Sequence, residues 1–235
     1  MTQHAFKPLL LELLQQAQDR QNAFFLQLPS GELEVIGEPY YWSAKDHVAH
    51  LTFWRRHLVA RVRAILRGET PPSSKDFERI NTIVFTENRY RSWPDILAES
   101  DQVYTELITL SEQLTEEDLT AFNRFDWIGQ GLPLYLLYMG GCYEHTQIHL
   151  GYYLSERHNV QRAREIHEEW SSSVIDRREA PDALKGNLLY NLACFYATHS
   201  YMEKTRTTLQ QSIALDPQNE EFARTDPDLA ELYSR

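Results

Sequence analysis

Residues 42–51 read Trp42-Ser43-Ala44-Lys45-Asp46-His47-Val48-Ala49-His50-Leu51. Ser43 is a good N-cap, and Asp46 three residues later completes a capping-box pair, so a helix starts here. Leu51, Trp54, Leu58, Val62 and Leu66 continue it at three-to-four spacing, and Gly68 supplies a C′ stop. Trp42, Val48 or Ala49, Leu51 and Trp54 mark the inward side of this helix. Lys45, Arg55 and Arg56 mark the outward one. His50 falls inward, whereas His47 and His57 line up less well and read as surface residues. Asp46 lies four residues before His50 and can orient that imidazole from behind. Helix capping accounts for Asp46 more simply.

Helical periodicity extends in both directions from this stretch. Leu9, Leu10, Leu13, Leu14, Ala17, Phe24 and Phe25 form an apolar stripe over residues 5–28, which Pro29, Ser30 and Gly31 end. Residues 29–42 make a connector with Pro39 and the aromatic run Tyr40, Tyr41, Trp42. Thr70-Pro71-Pro72-Ser73-Ser74 breaks the chain before a shorter helix over 76–90. Ser92-Trp93-Pro94-Asp95 then caps a helix that runs to Leu114. Thr115-Glu116-Glu117-Asp118 opens a short turn. A loop over 121–132 follows, with Phe122, Phe125 and Trp127 expected to pin it to the core. Pro133 begins a long helix through Tyr153. Nine glycines in 235 residues are few for a β-rich chain. The expected fold is all-α, an antiparallel helix bundle of about 155 residues.

Composition bounds the function. Apolar residues at 42% and charged residues at 24% are globular values. A net charge of −11 argues against a duplex nucleic-acid surface, which is normally basic. Cys142 and Cys194 are too few for a disulfide framework and fit a reducing compartment. No apolar run reaches the roughly 20 residues of a membrane helix, and the N-terminus lacks a signal-peptide pattern. The chain therefore reads as soluble and cytoplasmic, with no membrane role.

The chemistry concentrates in Glu144-His145-Thr146-Gln147-Ile148-His149. Histidines at i and i+4 share one helix face and can direct two imidazoles at one metal ion. His50 is the candidate third ligand. The alternative is a satisfied core histidine beside an exposed one. Gly140 and Gly141 precede the pair by a turn and mark either close helix packing, the preferred reading, or space for a substrate. Trp54, Trp127, Tyr138, Tyr143, Tyr152 and Tyr153 read mostly as core, with some lining a pocket. Neither cysteine has an evident base partner, so each reads as a buried structural residue.

The pattern W-S-x-x-D-x-x-x-H-L with a later H-x-x-x-H-x-x-Y/Y resembles the DinB-like superfamily of four-helix bundles. Its branches include bacillithiol- and mycothiol-dependent enzymes, metal-dependent hydrolases and the ClbS/DfsB proteins. The resemblance covers residues 5–157, including Asn81-x-x-x-Phe85 and the stretch from Ser111 to Leu119. It implies that His50, His145 and His149 hold a divalent ion (zinc, nickel, iron or manganese), with a low-molecular-weight thiol as possible cosubstrate. Asp46, Trp54, Glu144, Tyr152 and Tyr153 would surround it. Many ClbS/DfsB-type members lack the full triad. In the maleylpyruvate isomerase branch a glutamate replaces the first histidine of the late pair; Glu144 is one residue out of that register.

A second resemblance lies in residues 186–219. Asn191-Leu192-Ala193-Cys194-Phe195-Tyr196-Ala197, then Thr205, Leu209, Ser212 and Leu215-Asp216-Pro217, look like one tetratricopeptide (TPR) unit. A lone repeat cannot bury its own apolar face, so a packing cap is expected rather than a partner-peptide site. The organisation expected is a bundle over 1–158, a helical linker over 159–185 and TPR-like helices over 186–235. The leading function is a metal-dependent thiol S-transferase or hydrolase acting on a small molecule. The alternative is a non-catalytic binding or self-resistance module on the same bundle. A homodimer follows from family habit alone, and a nucleic-acid role is disfavoured by charge.

Overall fold

The computed structural model describes residues 5–73 and 75–233; residues 1–4, residues 234–235, and Ser74 in the expected 70–74 break lie outside the described residues. Every regular element among the described residues is helical, apart from one backbone bridge between Glu38 and Tyr41. The chain divides into two compact units: Lys7–Glu156, and Phe6 with the residues from Arg157 onward.

The first unit holds α1 (Phe6–Leu26) from Lys7 on, α2 (Ser30–Leu33), α3 (Ala44–Arg67), α4 (Phe77–Asn88), α5 (Trp93–Ser111), α6 (Glu116–Thr120), α7 (Tyr135–Tyr138) and α8 (His145–Glu156). Capping fixes the boundaries. Ser43 and Asp46 form a reciprocal box at the start of α3, Thr115 and Asp118 form another at α6, and Ser92 caps α5 ahead of Pro94. Gly68 ends α3 with φ of 68°, a left-handed conformation that costs glycine little. α3 packs along α5 and against α8. α1 is tied to α5 by polar contacts: Gln18 and Asn22 both donate to Asp101, and Gln21 donates to Ser100.

Two local expectations are corrected. The segment after Pro133 is not a continuous α-helix: a π-helical stretch, Met139–Glu144, joins α7 to α8. Phe122 does not pin the preceding loop, being 64% exposed; Ile128 is the buried anchor, with half-buried Phe125 and Trp127 in contact with each other.

The second unit contains α9 (Val160–Ile175), α10 (Asp182–Thr198), α11 (Met202–Leu215), α12 (Gln218–Thr225) and α13 (Ala230–Tyr233). α10 and α11 pack as a hairpin, and α9 lies on α10. The hairpin closes tightly at Gly186, where an added Cβ would stand 3.0 Å from the Asp216 Cβ and 3.3 Å from the Ser212 carbonyl oxygen. Ser212 Oγ donates to the Gly186 carbonyl at 2.7 Å and accepts from Asn219 at 2.8 Å. Cys194 is half-buried, not buried, and its thiol faces the Asp226 carboxylate at 3.7 Å. Among the described residues no helix is long and apolar enough to cross a membrane.

Candidate metal centre

The capped start of α3 and the first turn of α8 bring three imidazoles together. His50 Nε2 lies 3.1 Å from His145 Nε2, and His149 Nε2 lies 3.1 Å from the same atom. The ligand nitrogens of all three fall within 4.8 Å of one another. Nitrogens about 2.0–2.1 Å from a tetrahedral ion stand about 3.3 Å apart, so these separations fit one shared ion. Protonation is suppressed as a metal requires. Burial, then the neighbouring imidazoles and Arg55, lower His50 to about 3. Burial and Arg55 lower His145 to about 4; burial, then His47, His145 and His50, and last Arg55, push His149 well below the usual histidine range. Three neutral imidazoles with converging lone pairs are a donor set suited to a divalent borderline metal.

His47 was expected at the surface and is instead buried, with Nδ1 2.8 Å from His149 Nδ1. It stands three residues before His50, and an i, i+3 pair shares a helix face. That spacing was the signal available in the sequence. His145 is steadied differently, by a hydrogen bond to the backbone of Gly141 within the π-helical stretch. Such stretches widen the helix and recur at functional sites. Trp42 covers the cluster, its ring stacked on His149 at 5.8 Å and tilted against His50 at 5.1 Å.

Arg55 and Lys45, expected to face outward, are both buried. The Arg55 guanidinium donates to Gln21 Oε1 and to Thr146 Oγ1, each at 2.7 Å, and lies 4.0 Å over the Tyr104 ring. Among the described residues no carboxylate pairs with it. It is a fixed cation beside the histidines, held by neutral dipoles and a ring face. Lys45 donates to the Arg91 carbonyl at 3.2 Å. Asp46 is committed to the cap: its Oδ2 accepts from the Ser43 backbone at 2.8 Å and from the Ser43 hydroxyl at 2.6 Å. Asp46 Oδ1 and His50 Nδ1 are both buried without a hydrogen-bond partner, so this carboxylate does not orient that ring.

The histidines open onto a cavity of about 640 Å³, walled by Trp54, Leu58, Phe77, Leu136 and Leu137 and carrying His57, Arg61 and Asn81. Gly140 and Gly141 line it, and a Cβ built on either meets nothing within 4 Å. Close helix packing therefore does not explain these glycines; they leave open space beside the histidines. Tyr152 is exposed and borders a smaller hollow of about 250 Å³ that shares Trp42 and His149 with the first. Tyr153 is buried, and its hydroxyl donates to Glu32 at 2.9 Å. Glu144 is buried away from the cavity wall. Cys142 is buried and its thiol is pushed up to about 12 by burial, so it is no nucleophile.

The sequence matches the family model of the DinB superfamily over residues 13–153. No curated protein and no solved structure matches it. The matched stretch takes in more than half of the chain and all three converging histidines, and on that footing the protein belongs to the DinB superfamily.

Proposed function

We propose that this protein is a metal-dependent enzyme of the thiol-transfer or hydrolase type, with His50, His145 and His149 as ligands. The observation that carries the reading is the convergence of three neutral imidazoles at the inner end of a large apolar cavity. A divalent ion bound there (zinc, nickel, iron or manganese) supplies the Lewis acidity that makes a water or a low-molecular-weight thiol nucleophilic near neutral pH. The chain's own residues do the rest. His47 and the Gly141 backbone hold two of the rings in position, and Arg55 opposes their protonation. The aromatic wall binds the small-molecule substrate and excludes water from it.

The wider architecture is part of the same reading. α1, α3, α5 and the helical segment over 135–156 would form the antiparallel four-helix bundle, with a ClbS/DfsB-type layout. α10 and α11 would form the TPR-like hairpin, supported by the tight approach at Gly186. The divisions at 1–158, 159–185 and 186–235 and a cytoplasmic setting belong to this proposal, the latter supported by two unpaired cysteines.

Elemental analysis of protein purified without a polyhistidine tag tests the proposal. About one equivalent of metal is expected, lost in His50→Ala. Absence of metal, with no uptake of Zn²⁺, Ni²⁺ or Mn²⁺ at neutral pH, would overturn it in favour of a non-catalytic binding module, in which His50→Ala leaves ligand binding intact.

A further inference from the structure

We infer that the cavity receives an elongated aromatic or apolar molecule bearing a carboxylate, and that Arg61 binds this carboxylate at the end remote from the histidines. The inference rests on reading this cavity as the substrate site.

His50, Trp54, His57 and Arg61 follow one another at intervals of four, three and four, so they form one stripe along α3. All four line the cavity. From His50 to Arg61 is eleven residues, about 16 Å along the helix axis at roughly 1.5 Å per residue. A ligand touching both ends must therefore be long. Its middle would lie against Trp54 and Phe77, whose rings stand 5.3 Å apart at 37° and make a continuous apolar wall.

The charge of the cavity selects the other property. Among the described residues no aspartate or glutamate lines it; its ionisable groups there are His50, His57, His145, His149 and Arg61. Arg61 donates Nε to the Pro72 carbonyl at 3.1 Å and rests 5.4 Å from the Trp127 ring centre. Among the described residues no carboxylate pairs with it, so the planar fork keeps donors for a bidentate anion. Burial lowers the basicity of this guanidinium, a cost that a bound carboxylate would relieve. This polarity is local, since the whole chain carries a net charge of −11.

The test is a tryptophan-fluorescence titration of the metal-free, full-length protein with 6-phenylhexanoate, its amide 6-phenylhexanamide and 6-phenylhexylamine. Without metal, carboxylate coordination by an ion cannot imitate the effect. The carboxylate should bind about tenfold tighter than the amide, and the amine weakest. Arg61→Gln should bring carboxylate and amide to the same affinity, and Arg61→Lys should keep the preference. Equal binding of carboxylate and amide by the unmodified protein, a preference that survives Arg61→Gln, or no binding of any probe would each overturn the assignment. Metal uptake on the same preparations is read separately, so failure of the metal reading and failure of this one give different results.

Discussion

His47 Nδ1 lies 2.8 Å from His149 Nδ1, so an imidazole stands behind the ring whose Nε2 faces the other two histidines. The residue behind a ligating histidine is more often a carboxylate or a backbone carbonyl, and its loss typically weakens metal binding about 10–100-fold. His47→Phe keeps the ring volume and removes the contact. Chelator competition should show zinc affinity falling in that range, with an unfolding midpoint near that of the unmodified protein. Unchanged affinity would mean that His47 merely fills space.

Arg55 gives a second prediction. Its guanidinium is buried and held by Gln21, Thr146 and the Tyr104 ring. Arg55→Met preserves much of the volume but leaves Gln21 Oε1 without its donor, at a cost of about 1–3 kcal/mol. Removing the charge also removes one of the forces that lower all three histidines. Urea denaturation should show the destabilisation, and NMR titration of the imidazoles in metal-free protein should show their pKa values rising. Histidine titrations identical in the two proteins would contradict this electrostatic role.

Helix boundaries were legible in the sequence because local chemistry sets them. Ser43 with Asp46, Thr115 with Asp118, and Gly68 each act through backbone groups within one turn. The triad was legible because i, i+4 spacing and an inward position leave few other placements. Arg55 and Lys45 were misplaced for a physical reason. Polarity argues for solvent only when no partner waits inside, and here Gln21, Thr146 and Tyr104 come from α1, α8 and α5. The π-helical stretch was invisible because its widening depends on the surrounding fold, and Gly140 and Gly141 signal only that some departure is tolerated.

Two kinds of glycine should respond oppositely to alanine. At Gly37 an added Cβ would sit 1.9 Å from Asp46 Oδ2 and 2.6 Å from the Ser43 backbone nitrogen. Gly37→Ala must therefore displace the cap of α3, whose loss alone costs about 0.5–2 kcal/mol, and disturb the turn that carries His47 and His50. At Gly140 the added methyl meets nothing within 4 Å. Gly140→Ala should leave stability unchanged or raise it by up to about 1 kcal/mol through helix propensity, while intruding on the cavity and weakening ligand binding. Thermal melts on both variants, with ligand titration on the second, check the contrast. A destabilised Gly140→Ala would contradict open space beside Gly140.

Acid should unfold the metal-free protein earlier than its carboxylates alone would require. His50 is lowered to about 3, while His145 and His167 are each lowered to about 4, in every case chiefly by burial. Each folded-state pKa lies below the ordinary value of 6.5. The unfolded chain therefore binds more protons throughout the interval between the two. Their stabilising contribution is full above about pH 6.5 and is lost as pH falls towards about 4, with about 2 kcal/mol gone per histidine at pH 5. Urea midpoints measured from pH 7.5 to 5 should fall steadily, and a flat profile would contradict the burial of neutral imidazoles. Saturating zinc should raise stability by a nearly constant amount from pH 7.5 to 5, since the folded histidines it binds are already neutral over that interval and the unfolded chain takes up the same protons either way. Profiles that stay parallel with and without zinc are the expected result, whereas profiles that converge as pH falls would show His50, His145 or His149 binding protons in the metal-free fold.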